Sequence, residues 1–142
     1  MAGSDPGGQT YDHTVSLIDL LATFADMNHI PLNDQDAEDS FSLYPVLTGQ
    51  QKEAVRDHLI YISSSGNLAI TSGDWKYIDC LGSGGFTYPS VITPVPGGPS
   101  GQLYHLTTDP GEQSNLYFQE SGRVKELSGL LRKIMQQEHS RR

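Results

Sequence analysis

The sequence has a single cysteine, Cys80. An internal disulfide is excluded, and there is no cysteine framework for a zinc site. The histidines stand at 13, 29, 58, 105 and 139, none three or four residues from another, so no helical metal pair exists. No serine lies in a Gly-x-Ser-x-Gly elbow. Gly82-Ser83-Gly84-Gly85 lacks the lysine, the hydroxyl and the following helix of a phosphate-binding loop. No apolar run is long enough to span a bilayer, so no membrane segment is predicted. Positive charge is also scarce: nine Lys and Arg against seventeen Asp and Glu give a net charge of −8. That balance repels phosphate backbones and disfavours nucleic acid as a partner. The basic residues gather late, at Arg132, Lys133, Arg141 and Arg142, where a helix C-terminus would favour them.

What is present suits one ordinary domain, long enough to bury roughly 70% of its unfolded surface. The hydrophobic fraction is 36% and the charged fraction 18%, which together suggest a loop-rich chain. Residues 1–13 are small and polar, without the apolar core of a signal peptide, and read as a disordered or appended lead-in. A helix is predicted over 14–30. Ser16 and Asp19 have capping-box spacing, and Leu17, Leu20, Leu21, Phe24 and Met27 follow at helical intervals, with Pro31 as the stop. Its apolar face is broad for a short helix and wants cover on more than one side. Residues 31–57 read as a linker. Its acidic run, Asn33, Asp34, Asp36, Glu38 and Asp39, lacks the fixed ligand positions and central glycine of an EF-hand.

Strands are predicted at 59–62, 68–70, 75–78 and 102–106, with short turns between the first three. Trp75 and Tyr77 should share one face, and Lys76 and Ile78 the other. Residues 82–101 carry a density of Gly and Pro that admits neither helix nor strand. A loop of that length is functional or disordered. A last helix is predicted over 121–139, capped by Ser121, with Val124, Leu127, Leu130, Leu131 and Ile134 as its apolar stripe. The expected fold is α+β: an antiparallel sheet of about four strands packed by a long C-terminal helix.

No complete catalytic set emerges. Cys80 follows a strand with no histidine near it in sequence and reads as a structural thiol. His58 and His105 sit at strands and read as packed or edge residues, because a general base needs an orienting partner. Lys76 is unusual within a strand, facing either solvent, an interface or an anionic ligand. Asp109 and Glu112 could pair as carboxylates, but a turn in which Asp109 accepts backbone N–H bonds is simpler.

Four stretches in order resemble the C-terminal region of the sulfatase (arylsulfatase) family. Residues 15–26 are similar to the family pattern V-S-L-x-D-L-x-P-T-x-x-D, with Ala22 in place of proline. Residues 39–49 resemble D-G-x-S-L-x-P-x-L-x-G, with Ser40 in place of glycine. Residues 70–78 resemble I-R-x-G-D-W-K-L-I, and residues 103–116 resemble L-Y-D-L-x-x-D-P-G-E-x-x-N-L, with His105 in place of an acid. The end, Glu138-His139-Ser140-Arg141, is similar to a terminal G-R-S-R.

The resemblance implies a parent enzyme that hydrolyses sulfate esters with formylglycine and calcium. The formylglycine precursor motif, C/S-x-P-x-R, is absent here, so no catalytic, cofactor-binding or metal-binding residue is assigned to this chain. It further implies that 14–30 is the last helix of a large α/β catalytic domain and that 58–142 is the C-terminal subdomain. The catalytic domain and a sulfated substrate would then be the partners, and the apolar face of 14–30, parted from that domain, is expected to be covered by self-association or to be poorly ordered. The family suggests export to the periplasm, the exterior or the lysosome. Two other readings stay open: a non-catalytic interaction module, and a fragment of an alkaline-phosphatase-like phosphodiesterase.

Overall fold

A computed structural model describes residues 8, 10–33, 35–137 and 139. The chain falls into two compact units, one running to Asp57 and taking in the stretch from Gln137, the other His58–Gln136.

The first unit holds α1 (Asp19–Met27) and the one-turn α2 (Tyr44–Leu47). Helix α1 starts later than the capping-box spacing predicts. Its N-cap is Ile18, with no side-chain cap bond, and only the carboxylate half of the box forms, Asp19 Oδ2 accepting from the Ser16 N–H at 2.8 Å. The helix also stops before Pro31. Met27 is its last residue, and His29 takes a left-handed φ of 56° that reverses the chain. The stretch expected to be a linker carries α2 and two buried polar side chains, Ser40 and Arg56. Within its acidic run, Asp36 accepts from the backbone and side chain of Asn33, each at 3.0 Å; Asp34 lies outside the described residues.

The second unit is the antiparallel meander predicted, β1 (His58–Ile62), β2 (Leu68–Ser72), β3 (Trp75–Ile78) and β4 (Gln102–His105), in the order β1-β2-β3-β4. Thr71 and Ser72, expected in a turn, extend β2, so Gly73 and Asp74 alone link β2 to β3, Gly73 at a φ of 53°. Ile60, Ile70, Tyr77 and Leu103 are cross-strand partners and so share a face. Against that face lies α3 (Ser121–Gln137), whose Val124, Leu127, Leu131 and Ile134 complete the core. Ile70 and Leu103 are fully buried at its centre. Ser121 is the first residue of α3 itself. Arg132 and Lys133 are exposed and lie before the last turn, which holds no basic residue, so the expected dipole placement does not occur for them; Arg141 and Arg142 lie outside the described residues. The terminal motif is likewise described only at His139, and of the lead-in only residue 8 and 10–13.

Candidate functional site

In the first unit α1 turns its polar side inward. Asp19, Ala22 and Thr23 are buried and Asp26 half-buried, at one-turn spacing on one face. Every polar group on that face meets the segment at 39–43. Asp19 Oδ1 accepts from the Phe41 N–H at 3.0 Å, and Thr23 Oγ1 accepts from the Leu43 N–H at 2.9 Å while donating to the Asp19 carbonyl at 2.6 Å. Ser42 Oγ donates to Asp26 at 2.7 Å. Ser40, which stands where the family pattern has glycine, accepts from the Ala22 N–H at 2.9 Å.

Arg56 closes the arrangement. Its Nη2 donates to Asp19 Oδ1 in a salt bridge with both side chains excluded from water, and also to the Asp39 carbonyl at 3.2 Å. The guanidinium lies 4.7 Å from the Phe41 ring centroid. Arg56 Nε is buried with no hydrogen-bond partner among the described residues. Sequence reasoning missed Asp19 and Arg56 as a pair. The available signal was a carboxylate flanked in sequence by Leu17-Ile18 and Leu20-Leu21.

The opposite face of α1 is bare. Leu17 is 85% exposed, Leu21 58% and Phe24 56%, and Ile18, Leu20 and Met27 are also exposed. Shallow hollows open on either side of the 37–42 segment, one lined by Ala22, Ala25, Ile30 and Phe41, the other by Leu17, Leu21, Ala37 and Glu38.

In the second unit the sheet face away from α3 carries a polar row. Leu59, Thr71, Lys76 and Tyr104 are cross-strand neighbours on it. Lys76, open in the sequence between solvent, interface and ligand, is half-buried and paired with Glu112 at 2.6 Å. Its ammonium also lies 5.9 Å from the Tyr61 ring centroid. Glu112 holds this pair from a left-handed φ of 54°, a strained setting for a side chain of its size. Burial first, then the nearby Glu112 and Asp109 carboxylates, push the Tyr104 phenol up from its ordinary value. Asp109 plays the turn role expected of it. Its carboxylate accepts from the Gln113 and Ser114 N–H groups at 3.0 and 2.8 Å, and these bonds hold its pKa below the usual aspartate value. Asp109 and Glu112 therefore serve different partners and form no carboxylate pair.

His105 stacks edge-on to Trp75 at 4.6 Å, its Nδ1 3.1 Å from Thr108 Oγ1, while His58 begins β1. Cys80 is half-buried, and burial followed by the adjacent Asp79 charge raises its thiol pKa, the opposite of what a nucleophile needs.

The loop after β3 folds back on itself. Ser83 and Gly84 donate their N–H groups to the carbonyls of Pro89 and Ser90 at 3.0 and 2.9 Å, and Ile92 N–H returns to the Leu81 carbonyl at 3.2 Å. Gln102 Nε2 ties its base to the Cys80 and Gly82 carbonyls, both at 2.9 Å. Gly82, at a φ of 86°, lets the two limbs approach: a Cβ there would stand 2.8 Å from the Pro89 carbonyl oxygen.

Among the described residues no group of three or more His, Cys, Asp or Glu side chains could hold a metal ion. Asp19 is committed to Arg56 and two backbone N–H groups, and Glu112 to Lys76. Among the described residues no side-chain set fits a resident calcium, and the sequence has no C/S-x-P-x-R motif. No helix among the described residues is long and apolar enough to cross a membrane.

No family model matches the chain. An N-acetylgalactosamine-6-O-sulfatase of Bacteroides thetaiotaomicron is 31% identical over 119 residues, covering 84% of this chain and 23% of that protein. A solved structure tied to the metabolism of multiple glycosaminoglycans by Bacteroides thetaiotaomicron superposes with a TM-score of 0.64 at 30% identity, over 82% of this chain and 24% of the other. A 2-O GAG sulfatase superposes at 0.61 over 84% of this chain and 24% of its own, at 23% identity, which speaks for the fold alone. The chain thus spans about a quarter of the length of the proteins it matches.

Proposed function

We infer that this chain, a sulfatase homologue over 84% of its length, is the C-terminal portion of a sulfuric ester hydrolase. The observation that carries the reading is the bare apolar face of α1. The helix has spent its polar side on its own unit and offers Leu17, Leu21 and Phe24 to something else. A large catalytic domain is the natural cover, in keeping with the share of the relatives that this chain represents. The nucleophile, formylglycine, and a divalent metal, calcium, would belong to that domain. The second unit would stand beside the substrate. The substrate class, by likeness to the N-acetylgalactosamine-6-O-sulfatase that this chain resembles, is a 6-O-sulfated amino sugar.

The test joins gene and enzyme. The reading expects a C/S-x-P-x-R motif encoded upstream in the same frame and release of sulfate from 6-O-sulfated N-acetylgalactosamine by the longer protein. The 142-residue chain alone should release none. Absence of the motif, or turnover of a phosphodiester in place of a sulfate ester, would overturn the assignment. Sedimentation of the 142-residue chain should show self-association that Leu21→Glu with Phe24→Glu abolishes, since exposed apolar surface is otherwise left in water.

A further inference from the structure

The folded-back loop of the second unit carries no charge and leaves much of its apolar surface in water. From Cys80 to Gly101 there is no Asp, Glu, Lys, Arg or His, in a chain whose net charge is −8. Phe86 is 99% exposed, Tyr88 93%, Val91 68%, Val95 67% and Ile92 44%. None of the five belongs to the core of the unit, which is built from Ile70, Tyr77, Leu103 and α3. The backbone that carries them is tied down. Ser83 and Gly84 bond across to Pro89 and Ser90, Ile92 bonds to Leu81, and Gln102 holds the base. The first limb also rests on the turn between β1 and β2, where a Cβ on Gly84 would stand 3.3 Å from both Ser63 Oγ and Asn67 Nδ2. The loop is therefore folded, yet its large apolar side chains are in water and not against its own sheet.

The area decides what kind of surface fits. Full burial takes about 150–250 Å² of an aromatic ring out of water, and about 60–120 Å² of a Val or Ile side chain. Scaled by their exposure, the five residues offer roughly 400–700 Å². That equals the largest apolar patch of a typical monomer, roughly 300–600 Å², and a patch of that size marks an interaction site. It matches one side of a contact between domains of one chain, roughly 300–750 Å². It falls short of the roughly 800 Å² that each of two free molecules contributes to a stable complex. Charge points the same way. Two copies would approach with −8 on each, whereas a domain on the same polypeptide is held close by its linkage and is spared the cost of association. The relatives that this chain matches carry most of their length outside the part it covers.

We propose that the loop, through Phe86, Tyr88, Val91, Ile92 and Val95, is a docking surface for the large domain of the same polypeptide, and that the surface it meets is apolar and free of charge. It is a second seat, separate in sequence from the bare face of α1. It rests on the reading of this chain as part of a larger enzyme, but not on that enzyme being a sulfatase.

The experiment compares the longer protein with the 142-residue chain by hydroxyl-radical footprinting, read at Phe86 and Tyr88 by mass spectrometry. Labelling of both rings should fall severalfold in the longer protein. In the 142-residue chain it should not change with protein concentration. Phe86→Asp with Val91→Asp should leave the urea midpoint of the 142-residue chain unchanged, because both side chains are already in water. The same pair should lower the midpoint of the longer protein, where each charge would be pressed into an apolar contact. Phe86→Leu with Val91→Ile, which keeps the surface apolar, should lower neither. Three results overturn the proposal: full labelling of the rings in the longer protein, an unchanged midpoint for the Asp variant there, or ring protection that grows with the concentration of the 142-residue chain, which would make a second copy the occupant. Protection in a longer protein without a C/S-x-P-x-R motif would sink the sulfatase reading and leave the docking surface standing. Sulfate release by the longer protein with fully labelled rings would do the reverse.

Discussion

Removing Asp19 should unlock the first unit. The carboxylate is wholly buried and accepts from Ser16 and Phe41 N–H groups and from Arg56, whose side chain is 1% exposed. Asp19→Ala strands the guanidinium, a loss on the order of 3–5 kcal/mol for one partner of a buried pair. Two backbone donors also lose their acceptor, at about 1–3 kcal/mol each where water cannot reach. Not all of this accumulates, since the segment at 39–43 can lift away and rehydrate. The lower figure, about 3 kcal/mol, is the one to expect. Hydrogen exchange at the Phe41 and Leu43 amides reads it directly. Their protection should fall by roughly 100-fold or more. Arg56→Ala and the double variant complete a cycle. The pair acts as one unit, so the double variant should be far less destabilised than the sum of the singles. Additivity within about 0.5 kcal/mol, the behaviour of independent sites, would refute the reasoning. So would unchanged protection in Asp19→Ala.

Asp109 gives a pH prediction in the second unit. Its pKa is depressed in the folded chain, so its contribution is present above the ordinary aspartate value of about 3.9 and is lost as pH falls through the lower folded value. The Gln113 and Ser114 amide resonances should report that titration below the ordinary value, and a midpoint at or above it would contradict the turn geometry. Cys80 should react with iodoacetamide at pH 7.5 more slowly than a free thiol, because burial and Asp79 raise its pKa; faster alkylation would mean an activated cysteine. Gly101→Ala should destabilise the sheet, since its Cβ would stand 2.7 Å from the Ile78 carbonyl oxygen and 3.1 Å from the Tyr77 ring. A loss of about 1–3 kcal/mol in urea unfolding, followed by Trp75 fluorescence, is the expected overpacking cost.

The second unit was legible because its signals are local. Alternation put Tyr77 and Lys76 on opposite faces, as the sheet has them, and the three-and-four spacing of Val124, Leu127, Leu131 and Ile134 set the face of α3. The sulfatase resemblance, read from four ordered motifs, also stands. Sequence spacing failed where long-range polar pairing decides. Ser16 and Asp19 have the right interval for a capping box, yet Asp19 is drawn to Phe41 and Arg56, 22 and 37 residues on, and the helix begins at Asp19 itself. Glycine and proline density correctly excluded regular structure over 82–101, but said nothing of the crossed backbone bonds that fold the loop, because those depend on where the limbs meet. Lys76 could not be assigned from the sequence for the same reason: its partner lies 36 residues away, on a turn whose φ no composition reveals.

Helix α1 inverts the usual arithmetic of an amphipathic helix. Burying a charged or hydroxyl group costs free energy unless each of its bonding sites is met. On the inner face they are met almost completely, by Phe41, Leu43, Ser42 and Arg56, with Arg56 Nε the one buried exception shown. The outer face leaves six large apolar residues of α1 and its approach in water. Covering one such side chain fully is worth about 1.5–3 kcal/mol, so half-covering six of them is worth roughly 5–9 kcal/mol. Nothing in the unit recovers that energy, and the unit's own segment already occupies the side that could have turned apolar. An inner face built from hydrogen bonds fixes the helix without consuming its hydrophobic surface, which is what a helix needs if that surface is to seat against another domain. The substitutions Leu21→Glu and Phe24→Glu separate the two faces: they should leave the Phe41 and Leu43 amides protected in the 142-residue chain while weakening the seating of this region in the longer protein. Loss of protection at those amides would mean that the apolar face holds this unit together after all.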